Sequence, residues 1–441
     1  MGDVLGMSRL LTVVRIWFCL ALALAAPLTI AAAPPAPATV TVRAGDVAGL
    51  VAAIRAANAR PGAHTIVLEA GAYTLHAATD SSEGATGLPS ITGRIRLVGA
   101  GANQTVIERA AGAPNFRILR VAANGTLTLA GLAIRGGDTA VPFEYDDQAA
   151  GILNHGRLIV VNARVDHNTA TTDGGIGNLG GTVLLLHSTV SENHSDTGGG
   201  IGNDGRMLIV DSAISGNIGA FGGGIANTGR LLVVNTTLGN NRSQNGGGAI
   251  ANLGRALVAS STLSANQAIG DHGGGDGGGI DNAPAGVIAL INTVLAGNTS
   301  FNQRNVLSPD CAGQVLSLGH NRVGSLMGCT LALARGDRVV DPRLAAFTDD
   351  GTPGHGHFPL LPGSPAINAG AAAACLPADQ LGQPRGGQCD IGAIEFQSHG
   401  AAVNTGSQAD SAAGDILAHW AAASAAFCRA AGATEFDPFK N

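Results

Sequence analysis

The stretch GGGIGNDGRMLIVDSAISGN, from Gly198 to Asn217, is followed by nearly the same text, GGGIANTGRLLVVNTTLGNN, from Gly222 to Asn241. Anchored on its isoleucine, the frame returns at Ile152, Ile176, Ile201, Ile225, Ile250 and Ile280, at intervals of 24, 25, 24, 25 and 30 residues. A fixed period of this length marks a solenoid, whose units bury their apolar faces only by stacking on their neighbours. The run RMLIVD is short, β-branched and bounded by Gly and Asn, which favours strand over helix. Apolar segments around Ile201, Met207 to Val210 and Ile214 predict three strands per coil. The expected fold is therefore all-β, a parallel β-helix, right-handed by the general preference of parallel crossovers. Glycines before each anchor are expected to supply the positive φ angles of the corners.

Two asparagine columns run through the repeats. One lies two residues after each anchor (Asn154, Asn178, Asn203, Asn227, Asn252, Asn282) and the other closes the strand region (Asn168, Asn193, Asn217, Asn241, Asn266, Asn298). Side-chain amides stacked ~4.8 Å apart can bond one another in ladders, so the columns have a structural reason that needs no ligand. Ahead of the repeats, VAGLVAAIRAAN reads as a short amphipathic helix covering the open end of the solenoid, which a repeat protein must shield.

Composition narrows the function classes. Of 441 residues, 66 are Gly and 13% are charged, and the formal net charge is −6, which offers no general basic surface for nucleic acid. Arg9 and Arg15 precede the apolar run from Ile16 to Ala33 and a Pro/Ala-rich stretch, the pattern of a signal peptide. No second run of spanning length follows, so the mature chain is expected to lack a transmembrane segment. Cys311, Cys329, Cys375 and Cys389 fall into two sequence-local pairs that suit an oxidising compartment, although spacing alone leaves their connectivity open. The expected organisation is a signal peptide at 1–33, cap and β-helix at 39–347, a C-terminal capping segment at 348–396 and an Ala-rich, helix-forming tail at 397–441.

The opening LVAAIRAANARPGAHTIVLEAGAYTL, the Gly/Asn coils and the closing LLPGSPAINAG and DQLGQPRGGQCDIGAIEF together resemble the choice-of-anchor Q group of β-helix proteins. The coils are similar to polymorphic outer-membrane-protein repeats. This resemblance, over roughly Val40 to Phe396, implies an exported protein at the cell surface or outside the cell, and bridges Cys311–Cys329 and Cys375–Cys389. It implies no defined activity. No LPxTG-like motif or hydrophobic-plus-basic tail follows Phe396, so secretion and outer-membrane association both stay open.

Alternation along the strand places Arg157, Arg206, Arg230 and Arg255 outward in one column, with Thr182 as a gap. Guanidinium groups pair bidentately with carboxylate or sulfate, so the column is a candidate surface for an acidic glycan; a repeated solvated turn is the plainer reading. Two outward apolar columns run beside it: Ile159, Leu184, Leu208, Leu232, Leu257 and Val161, Leu186, Val210, Val234, Ala259, with Thr126 and Thr128 at these places in the preceding coil. So much apolar surface needs cover, and the tail, with Ile416, Trp420 and Phe427 on adjacent turns, is the candidate, with an oligomer or partner interface as the rival. Enzymatic candidates are thinner. Glu144, Asp146 and Asp147 form the best acidic cluster, and Asp271, Asp276 and Asp281 could hold a Ca²⁺; otherwise no cofactor is expected. GHGH at Gly354 to His357 lies outside the coils and lacks the companion motifs of a polygalacturonase. The favoured reading is a surface-associated or secreted scaffold, adhesin-like, that binds an extracellular glycan or cell-surface partner. The alternative is a polysaccharide lyase or glycoside hydrolase acting on an acidic polysaccharide.

Overall fold

The computed structural model of the chain describes residues 38–140, 149–270, 277–302, 305–307 and 310–397. Among them the strands form three sheets of 19, 11 and 8 members, parallel throughout except for one pairing of Ser300 with Leu307. Each regular coil gives two short strands to the first sheet and one to each of the others. In the coil of Ile201 these are Ile201–Asn203, Arg206–Val210, Ala213–Ser215 and Ile218–Gly219. The protein is a parallel β-helix. Its fourth strand per coil is absent from the sequence reading, because it is two residues long and turns Ser195, Gly219 or Ser243 inward rather than an aliphatic side chain.

The anchors pair coil to coil in register, Ile152 with Ile176, Ile176 with Ile201, and on to Ile250 with Ile280, and all are fully buried. They share one continuous core with Leu158, Val183, Met207, Leu231 and Val258 from the neighbouring strands. Helix α1 (Val47–Asn58) joins this core through Leu50, Val51, Ile54 and Ala57, and Asp46 caps it by accepting from the Gly49 amide at 2.8 Å.

Both asparagine columns are ladders. Asn154 Nδ2 donates to Asn178 Oδ1 at 2.7 Å, and the same bond repeats at 2.7 Å through Asn203, Asn227, Asn252 and Asn282. In the second column the bonds from Asn168 through Asn298 measure 2.9–3.0 Å, and the run ends on Asp310 Oδ1, which accepts from Asn298 Nδ2 at 2.9 Å. Cys311, next in sequence, is bridged to Cys329, and Cys375 to Cys389.

The role assigned to the anchor glycines needs correction. Positive φ falls instead on two other columns. One is Asn162, His187, Asp211, Asn235, Ser260 and Asn292 (φ 44–52°), and the other is His167, Glu192, Gly216, Asn240, Ala265 and Gly297 (φ 55–74°). Asn and Asp tolerate this region better than most residues, which explains part of that list. The anchor glycines are needed for close approach: a Cβ at Gly174, Gly199 or Gly223 would lie 2.3–2.4 Å from the carbonyl oxygen of the next coil.

A register correction also applies. Thr126 pairs with Arg157 and Thr128 with Ile159, so the early threonines sit one outward position away from the place the sequence suggested.

The apolar columns are covered, and the covering chain is the segment after Asp341. Leu376 packs against the cluster formed by Val161, Leu184, Leu186, Val210 and Val234, while Ala374 packs against that of Leu257, Ala259, Ala289 and Ile291. The same segment crosses the outer face of the second sheet, where Leu360, Ala366 and Ile391 meet Val294 and Ala296. The tail with Ile416, Trp420 and Phe427, like the signal-peptide stretch, lies outside the described residues.

Candidate functional site

The arginine column stands at the start of the long strands of the first sheet. Register carries it from Arg157 to Thr182, Arg206, Arg230 and Arg255, and all four arginines are exposed. It also reaches back through Thr126 to Arg94, which lies in a less regular coil where the repeat frame gives no anchor. Beyond Arg255 comes Val287, which is 38% exposed.

Arg206, Arg230 and Arg255 border an open trough of about 470 Å³, together with Asp204, Thr228, Leu253 and Ala285. Each of these residues precedes the glycine that precedes the strand, as in Asp204-Gly205-Arg206 and Thr228-Gly229-Arg230. The glycines form the floor, and they are obligatory: a Cβ at Gly205, Gly229 or Gly254 would approach a carbonyl of the previous coil to 2.2–2.3 Å. Backbone thus lies bare between arginine side chains. The Thr228 hydroxyl donates to Asp204 Oδ1 at 3.2 Å, so one carboxylate sits inside the basic column. Leu253, 55% exposed, adds an aliphatic patch at the far end.

Like charges in register repel. The guanidinium of Arg230 is held below its ordinary pKa first by partial burial and then by Arg206 and Arg255 on either side. Three predicted residues, Arg206, Arg230 and Arg255, therefore border one trough, while Arg157 lies in the same column beyond the Thr182 gap. Asp204, Thr228 and Leu253 were not singled out from the sequence, although their constant place two before the arginine position was there to be read.

The other candidates do not assemble into a second site. Glu144, Asp146 and Asp147 lie outside the described residues, as do Asp271 and Asp276. Asp281 stands in the first sheet, in register with Ala251 and Ala312. Among the described residues, no group of three or more His, Cys, Asp or Glu is placed to hold a metal ion, and no helix is long and apolar enough to cross a membrane. The GHGH segment serves packing: Gln380 Nε2 donates to the carbonyls of Gly354 and Gly356 at 2.6 and 2.8 Å, and the Gly354 amide donates to Thr189 Oγ1 at 2.8 Å.

Neither a family model nor a curated protein matches the sequence. Among solved structures, the crystal structure of pectate lyase Pel9A is similar at a TM-score of 0.39 and 16% identity, over 78% of this chain and 90% of that one.

A buried acid lies where the C-terminal segment meets the coils. Asp211, in one of the positive-φ columns, accepts from Asn235 Nδ2 at 2.5 Å, and Arg385 Nη2 donates to Asn235 Oδ1 at 2.8 Å. Burial pushes Asp211 up to about 7, against the hydrogen bond from Asn235; Asp379 pushes the same way and Arg385 the opposite. Burial likewise lifts Asp173 and Asp310 to about 6. Each of these acids is occupied in holding chain to chain: Thr197 Oγ1 donates to Asp173, and the Ser325 amide to Asp310.

Proposed function

We propose that this protein is an exported β-helix scaffold that binds an acidic extracellular glycan, adhesin-like, along its arginine column. The observation that carries the reading is the in-register row of Arg206, Arg230 and Arg255 around a trough floored by backbone. Planar guanidiniums offer paired donors to carboxylates, and bare glycine backbone lets a sugar ring approach closely. The C-terminal segment takes up the outer faces over the apolar columns and the second sheet, and this edge of the first sheet stays exposed. Export is supported by the leader-like N-terminal sequence and by the two disulfides, which persist in oxidising compartments. The choice-of-anchor Q resemblance supports the same placement.

The test is binding of the purified protein to polyuronates at low and high salt, with and without calcium. Salt-sensitive binding, lost in an Arg206→Gln, Arg230→Gln double variant and unaccompanied by turnover, is the expected result. A rise in ultraviolet absorbance from unsaturated sugar ends would replace the scaffold reading with a lyase. Unchanged binding in the double variant would remove the site.

A further inference from the structure

We infer that the ligand is a linear polyuronate lying parallel to the solenoid axis, contacted by successive coils and measured by its length. This inference rests on the arginine column being the binding site. The column has a fixed direction because every member is set by backbone pairing, from Arg94 through Thr126, Arg157, Thr182, Arg206 and Arg230 to Arg255. Six coil steps of ~4.8 Å give a stripe of roughly 29 Å, of which the unbroken trio takes roughly 10 Å. A compact anion can meet at most a neighbouring pair of these guanidiniums. Only an extended chain running up the stack reaches them all, and an extended uronan advances by a comparable distance per sugar.

The trough also selects against the densest polyanions. Asp204 is exposed among the arginines and accepts from Thr228, so hydroxyl donors are welcome there and a continuous string of sulfates or phosphates is not. A uronan carries one carboxylate per sugar, with hydroxyls between. Its charges can face the arginines while its hydroxyls face Asp204 and Thr228. The column is also graded: three consecutive arginines at one end, and two separated by threonines at the other. Short chains should therefore settle on the trio, and longer ones should gain from Arg157 and then Arg94.

The experiment is calorimetric titration of the full chain with oligogalacturonates graded from the monosaccharide to chains longer than the stripe, with heparin as the densely sulfated comparator. Affinity is expected to tighten about two- to fivefold for each arginine reached, and to level off once the stripe is filled. An Arg94→Gln, Arg157→Gln variant should bind short chains as the parent does and lose only the gain from length. Equal affinity for monosaccharide and polymer, equal weakening of short and long chains in that variant, or preference for heparin would overturn the inference and leave an anion site standing. If no uronan binds, or if Arg206→Gln with Arg230→Gln changes nothing, it is the site itself that fails.

Discussion

Two kinds of residue stack run through this molecule, and they obey opposite physics. In the asparagine ladders each amide donates to the next and, the terminal Asn154 Oδ1 apart, also accepts, so the copies satisfy one another inside the buried core. In the arginine column every copy is a cation, and proximity to its neighbours is a cost. Repetition in the first stack explains itself through the fold. Repetition in the second does not, and that contrast is what supports proposing Arg206, Arg230 and Arg255 as a site.

The sharpest way to break the contrast is to interrupt a ladder. Asn217→Ala removes the acceptor of the Asn193 amide and side chain, at 3.1 and 3.0 Å, and the donor to Asn241 Oδ1 at 2.9 Å, all buried. Unsatisfied polar groups plus a cavity should cost about 3–5 kcal/mol. The check is the urea midpoint together with local hydrogen exchange, since a solenoid opens near the lesion first. A loss below about 1 kcal/mol would mean that the ladder is passive.

The anchor glycines come next. Gly223→Ala would put a methyl 2.4 Å from the Gly248 carbonyl, a contact that only backbone movement can relieve. A loss of about 2–4 kcal/mol is expected by thermal unfolding. Were the glycine there for its φ alone, alanine would be tolerated, because Gly223 is not among the positive-φ glycines.

These two stacks also show what the sequence could carry. Periodic residues with large side chains, such as Ile201, Asn203 and Leu231, announce their pairing because period and register are one fact in a stacked coil. The fourth strand stays silent, since Ser195, Gly219 and Ser243 form no apolar pattern. The corners mislead: glycine is the usual signal for positive φ, yet Asn162, His187, Asp211 and Asn235 hold those places while the glycines serve close packing. Arg94 falls in a coil of irregular length, so only three-dimensional register joins it to the column. The cover over the apolar columns depends on a long-range contact of Leu376, and no local pattern encodes it.

The buried acids give a pH test. Asp173, Asp211 and Asp310 all have pKa values above the ~3.9 of an unfolded chain. The folded state therefore binds protons more tightly, and the stabilisation is full below about pH 4 and lost as pH rises through 6 to 7. Asp80, pushed down by hydrogen bonds from Ser82 and Ser90 that outweigh its burial, works in the opposite direction and weakens the fold only in stronger acid. Stability should thus peak in mild acid and fall towards neutrality. Asp211→Asn keeps the bond to Asn235 and a residue that accepts positive φ. It should flatten the upper part of that fall and stabilise the protein at pH 7.5 by about 1–3 kcal/mol. A urea series from pH 4 to 8 decides it, and a parallel slope in parent and variant would discount Asp211.

The smallest effect carries the most information about the site. If the arginine column were architecture, removing a member would weaken the fold as removing an asparagine does. Its members are exposed and crowded by like charge, so Arg230→Gln should change stability by about 0.5 kcal/mol or less, towards a gain at low salt. Screening shortens the reach of that repulsion to ~3 Å at 1 M salt, and the gain should vanish there. Binding to uronan should meanwhile fall severalfold. A variant that loses stability in step with binding would place Arg230 beside the asparagines as scaffold. Separation of the two losses would leave recognition as the reason for repeating a cation from coil to coil.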